Sequence, residues 1–256
     1  MVAKYLRAAH FLPTLIVTTL VLLLSRTLFN TGDSILIALT IFSGQLVVGW
    51  NNDLIDAPRD RLQKRWRKPV ASGELAESDL KLAIYAVLAL CVALSLLGPL
   101  GIRGGSLHLL AVGFGLSYNL YFKNNLLSPI PFMFAFAALP ATLYVAAHKT
   151  PPLWIVICGG LFGIVGHFAN VLKDMDEDLT LGIRGLPQIV GTKKSIFIAA
   201  IGLISISLII SMHRQTLIPW FVISLPLAIA LITYNPRKFG HPTIMLLALM
   251  DVYLLF

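Results

Sequence analysis

Asn52-Asp53-Leu54-Ile55-Asp56-Ala57-Pro58-Arg59-Asp60 follows directly on an apolar run over 34–50. The same polar spelling returns in Asn170-Val171-Leu172-Lys173-Asp174-Met175-Asp176-Glu177-Asp178 after a second apolar run. In each stretch an Asn is followed at i+4 and i+8 by Asp. All of the 12 acidic residues except Asp33 and Asp251 lie in or just after these two segments. Residues four apart on a helix share a face, about 6 Å apart along the axis, so each stretch is expected to present a ladder of oxygen ligands. Two facing ladders suit hard divalent cations.

The rest of the chain says where those ladders lie. Of 256 residues 57% are hydrophobic and only 12% are charged, where soluble domains run near a quarter charged; the mean hydropathy is +0.82. The fold expected is an all-α integral membrane protein. Apolar runs long enough to cross about 30 Å of hydrocarbon recur at 8–28, 34–50, 80–97, 107–122, 131–147, 153–169, 195–212, 217–234 and 242–256. The first is read as a retained helix, since it runs into Ser25 and Arg26 without a small-residue cleavage site. Cys91 and Cys158 fall inside apolar runs, far from any His/Cys cluster, and are read as reduced core residues.

The net charge of +8 reads as membrane topology and implies no nucleic acid. With the N-terminus inside, the outer side holds only Arg26, Arg103, Lys149 and Arg214, and the other sixteen of the 20 basic residues lie inside. The positive-inside rule then puts both acidic segments at the cytoplasmic face of the cell membrane. The chain is expected to be one transmembrane domain over 1–256. Because the two ladders are four helices apart, it divides on this reading into four-helix halves, 8–123 and 128–235, plus a ninth helix over 242–256. Gly113, Gly115, Gly159, Gly160, Gly163 and Gly166 are read as close helix contacts.

Magnesium prefers carboxylate and phosphate oxygens and is usually held by one or two carboxylates plus a substrate phosphate, so the two segments are suited to clamp a diphosphate through bridging metals. The bland alternative is a pair of solvated loops whose charges stop the helices. Against it stand the repeat, the near absence of acids elsewhere, and the position of Asn52, Asp53, Asn170 and Asp174 where apolar helices meet the interface, a costly place for a bare carboxylate. His167 is read as a hydrogen-bonded core histidine, and Asp251 has no functional reading.

These residues resemble the UbiA superfamily of intramembrane prenyltransferases. Asn52, Asp53, Asp56 and Asp60, followed by Arg67 to Gly73, match its first hallmark. Asp174, Asp178, Gly182, Leu186 and Pro187 match its second, and Tyr118 with Lys123 a weaker third. The resemblance implies about nine helices in a ring around a central cavity. It makes Asn52, Asp53, Asp56, Asp60, Asn170, Asp174 and Asp178 ligands of magnesium, two ions in all, or of its water, with Asp56 and Asp174 essential to catalysis. Lys68, Lys123, Arg67, Arg184 and Tyr118 would bind substrate.

The activity implied is transfer of an isoprenyl group from a polyprenyl diphosphate donor to an aromatic quinone precursor or another lipid-soluble acceptor, among membrane lipid. A membrane terpene cyclase of the same superfamily and a divalent-cation transporter are the alternatives. The allylic carbocation left by ionisation needs a dry pocket, to which Phe114, Tyr118, Tyr144 or Phe168 could offer ring faces.

Overall fold

The computed structural model describes residues 2–214, 243, 244 and 246–248. Within them the regular elements are α1 (Val2–Ala8), α2 (Phe11–Ser25), α3 (Thr31–Leu62), α4 (Glu77–Leu97), α5 (Gly101–Ser117), a π-helical turn (Tyr118–Phe122), α6 (Pro129–Ala146), α7 (Leu153–Leu172), α8 (Met175–Thr180) and α9 (Leu186–Arg214). An all-helical chain is what a lipid solvent demands, because a helix satisfies its backbone groups within one segment. By length and composition α3, α4, α6, α7 and α9 can each cross a membrane, and α1 with α2, bent by 80°, qualifies as a sixth span. The protein is therefore a multi-pass membrane protein. The helix expected over 217–234, most of that over 242–256, and Arg237, Lys238, His241 and Asp251 lie outside the described residues.

Two expectations change. The first apolar run is not one helix over 8–28: α1 stops at Ala8, and His10 takes the left-handed conformation (φ 52°, ψ 58°) before α2 starts. Pro13 explains the break. A helix running through it would need an N–H on the Ala9 carbonyl, which proline lacks, and its ring would clash with that carbonyl. The Thr14 hydroxyl donates to Ala9 O instead, at 2.9 Å.

The second acidic stretch is likewise not one helical ladder. α7 ends at Leu172, Asp174 has φ −110° and ψ 7°, and α8 starts afresh at Met175. Asp176, Glu177 and Asp178 thereby fall in the first turn of a new helix, where the exposed N–H groups favour negative charge. Only Asn52, Asp56 and Asp60 stand on one continuous helix.

The chain forms two compact units. In the first, residues 1–120 and 139–151, α2, α4 and α5 pack on α3. Its core holds Val47, Trp50, Ala57, Val70, Leu75, Leu80, Ile84, Cys91 and Val112. Val70 and Leu75 come from the hydrophilic segment after α3, so that segment is folded back onto the helices. α1 is docked by Trp50 Nε1, which donates to Tyr5 O at 2.8 Å. A Cβ added at Gly49 would lie 2.6 Å from Ala9 O, so α3 runs directly under the α1–α2 corner.

In the second unit, residues 121–138 and 152–256, α7 packs on α9 around Cys158, Val165, Phe168, Ala169, Ile196, Leu203, Ile206 and Ile210. Gly191 (φ 81°) kinks α9. The packing role expected of the glycines holds at Gly159, whose added Cβ would meet Phe136 O at 2.6 Å, at Gly160 against Met133, and at Gly163 against the Phe132 carbonyl. Gly115, in the first unit, meets Val48 at 2.8 Å. Gly113 and Gly166 instead have nothing within 4 Å of an added Cβ. Both cysteines are buried and neither is in a disulfide. Leu82, Tyr85 and Leu90 on α4 are exposed, an apolar face suited to lipid.

Candidate active site

In the first unit α3 carries three buried carboxylates: Asp53, Asp56 and Asp60 are 1%, 7% and 0% exposed. They are spaced i, i+3, i+7, one face of a helix. Buried carboxylates are tolerated only when charge or hydrogen bonds compensate them, and each has a cation beside it. Lys68 Nζ is 3.0 Å from Asp53 Oδ1, Arg59 2.9 Å from Asp56 Oδ1, and Arg65 3.3 Å from Asp60 Oδ1. Arg65 and Lys68, from the basic run after α3, are thus turned inward onto the acids, while Lys64 and Arg67 are exposed.

Compensation is incomplete. Asp53 Oδ2 and Asp60 Oδ2 are buried and have no hydrogen-bond partner. Buried oxygens without a donor fit a hard cation that takes one or two carboxylates and completes its shell with water and phosphate. Among the described residues no group of three or more His, Cys, Asp or Glu side chains is placed to hold a metal ion.

Two neighbours of the ladder were not expected. His10 Nε2 lies 3.1 Å from Asn52 Oδ1 and 3.2 Å from Lys68 Nζ. Asn119, in the π-helical turn beside the buried Tyr118, accepts from Asn52 Nδ2 at 3.1 Å and donates to Val48 O at 3.1 Å and Asn51 Oδ1 at 3.3 Å. The residues that form this network are separated by 42 to 71 positions, and no local pattern marks them.

In the second unit Asp178 is 8% exposed and accepts at Oδ2 from Gln188 Nε2 at 2.9 Å. Asp174 is half-buried, while Asn170, Asp176, Glu177 and the Arg184 side chain are exposed. The turn after α8 is pinned to the 123–128 segment: Arg184 N donates to Asn124 Oδ1 and Leu186 N to Ser128 Oγ at 3.0 Å. Gly185 is needed there, because an added Cβ would stand 3.0 Å from the carbonyl of half-buried Lys123. His167 Nε2 meets Ser128 Oγ at 3.0 Å and its ring lies 4.9 Å from that of Phe132, the core role expected of it. Phe168 is 1% exposed inside the core, a packing position. Gln188 and Ser128 were missed; only their nearness to Leu186-Pro187 and Pro129 hinted at them.

The chain matches the model of the UbiA prenyltransferase family over residues 11–241. No curated protein sequence matches it. Among solved structures, a UbiA homologue from Archaeoglobus fulgidus, bound to GPP and Mg2+, is 17% identical with a TM-score of 0.73, covering 98% of each chain. An apo UbiA homologue from Aeropyrum pernix K1 is 18% identical with a TM-score of 0.66, covering 98% of this chain and 95% of that one. A digeranylgeranylglyceryl phosphate synthase is 20% identical with a TM-score of 0.67, covering 99% of this chain and 96% of that one. With a family model spanning residues 11–241, the chain belongs to the UbiA prenyltransferase family and is a prenyltransferase.

Proposed function

We propose that the protein transfers an isoprenyl group from a polyprenyl diphosphate to a lipid-soluble acceptor, such as an aromatic quinone precursor, with magnesium holding the diphosphate. The observation that carries this reading is the buried face of α3, where Asp53 Oδ2 and Asp60 Oδ2 lack a donor. The GPP and Mg2+ bound to the Archaeoglobus fulgidus homologue support the same donor chemistry. In this reading Asn52, Asp53, Asp56, Asp60, Asn170, Asp174 and Asp178 are ligands of two magnesium ions or their waters. Lys68, Arg67, Lys123, Arg184 and Tyr118 contact the donor.

Bound magnesium would supply positive charge that stabilises the departing diphosphate. The carbon–oxygen bond breaks with its electron pair leaving on the diphosphate, a new bond forms between the allylic carbon and the acceptor, and the acceptor gives up a proton. The lysine and arginine side chains absorb part of the developing charge. The apolar helices around the reacting carbon exclude the water that would quench it.

One domain of nine spans, with its N-terminus and both acidic segments on the cytoplasmic side of the cell membrane, completes the proposal. Its support is the distribution of lysine and arginine along the sequence. The test supplies labelled geranyl and geranylgeranyl diphosphate with a membrane lipid extract as the acceptor source. Asp56→Asn and Asp174→Asn should each abolish transfer while leaving the protein folded and inserted. Full activity in both variants would overturn the assignment.

A further inference from the structure

We propose that His10 is a positioning residue for Lys68, holding its ammonium group ready for the diphosphate of the donor; the inference rests on the donor reading above. It starts from an outlier. His10 is a non-glycine residue at φ 52°, ψ 58°, a region that non-glycine residues seldom adopt and that costs free energy unless its surroundings hold it. Here they do. α3 lies under the corner at Gly49, and the Thr14 hydroxyl takes the Ala9 carbonyl. The corner turns the imidazole onto the first rungs of the acidic ladder, 3.1 Å from Asn52 Oδ1 and 3.2 Å from Lys68 Nζ.

Both contacts use Nε2. Lys68 can only donate, so the nitrogen facing it must be bare, whereas donation to Asn52 Oδ1 needs a proton there. One nitrogen cannot do both at once, and the two contacts are alternatives. Lys68 meanwhile has a second partner in Asp53, 3.0 Å away. A free lysine side chain carries considerable rotamer entropy. Held between His10 and Asp53, Lys68 has already lost much of that freedom, so less is lost when an anion takes it over. His10 touches no reacting atom in this scheme and acts only through the lysine.

The test is calorimetric titration of the purified full chain with inorganic pyrophosphate in excess magnesium, beside a thermal unfolding scan of each variant. His10→Ala should weaken binding about tenfold, the factor expected for one charge-assisted hydrogen bond. His10→Gln, which keeps an acceptor, should recover most of it. His10→Gly relieves the backbone at the corner and folds at least as readily, yet should bind as weakly as His10→Ala. In a Lys68→Met background His10→Ala should have no further effect. Wild-type affinity in His10→Gly, or an undiminished loss in the Lys68→Met background, would show a corner of purely structural purpose and overturn the proposal alone. A wild-type protein that binds no magnesium pyrophosphate would sink the donor reading and this inference together.

Discussion

Lys68 Nζ lies 3.0 Å from Asp53 Oδ1, with the lysine side chain 23% exposed and the aspartate 1%. This pair ties the basic run after α3 to the acidic face of α3, and it makes a hydrophilic segment part of the helical core. It also gives Lys68 two partners before any substrate arrives.

Lys68→Met should therefore cost stability as well as substrate affinity, because it strands a buried carboxylate. The loss expected is about 2 kcal/mol, less than for a fully buried pair since the lysine is partly solvated. Thermal unfolding in detergent measures it, and the double variant Asp53→Asn with Lys68→Met should unfold closer to wild type than Lys68→Met alone. A double variant less stable than either single one contradicts the pairing.

Gly163→Ala and Gly166→Ala should separate sharply although they are neighbours on α7. A Cβ at 163 would drive into the Phe132 carbonyl, whereas one at 166 meets nothing within 4 Å. The first should destabilise by about 1–3 kcal/mol, as overpacking does. The second should be neutral or slightly stabilising, since alanine is the better helix former. Equal effects on the unfolding midpoint would remove the packing argument for this helix pair.

Gln188→Leu removes the donor that Asp178 Oδ2 receives at 2.9 Å. Losing a hydrogen bond to a charged group costs about 1.5–3 kcal/mol. Adding Asp178→Asn to Gln188→Leu should recover part of the loss, and unfolding midpoints of the three variants decide it.

Magnesium should raise the unfolding temperature of the wild-type protein, because a ligand that binds only the folded state stabilises it by mass action. The rise should vanish with EDTA and be much smaller in Asp56→Asn. Calcium should substitute poorly, as it takes six to eight oxygen ligands at longer distances than magnesium's octahedral shell. An unfolding temperature indifferent to magnesium counts against the metal ligands assigned to α3.

Orientation is open to labelling. With an inside N-terminus, a cysteine placed at Ser72 should react with a membrane-impermeant thiol reagent only after the membrane is opened, and one at Lys149 in intact cells. Cys91 and Cys158 are buried and give a low background. The reverse pattern would invert the topology.

Much of this was legible before any coordinates. Composition alone makes the chain a membrane protein, because a helix in lipid must be apolar along its length. The acidic stretches stand out against that background and carry the family resemblance. Spacing at i+4 and i+8 was a sound guide for Asn52, Asp56 and Asp60, which α3 carries on one continuous helix. It misled for Asn170, Asp174 and Asp178, where the accumulated negative charge sits better at the start of a new helix than within a running one. The corner at His10 was written in Pro13, through the N–H it withholds from Ala9.

What sequence determined by itself is the class of solvent, the number and kind of charged groups, and the places where apolar runs give way to them; these follow from local composition and period. Tertiary structure alone decided which cation meets which acid. Lys68 reaches Asp53, Arg65 reaches Asp60, and His10 and Asn119 close in on Asn52. Such contacts depend on how a chain folds back on itself, and a buried carboxylate accepts whichever donor the packing brings near, whatever the distance between them along the sequence.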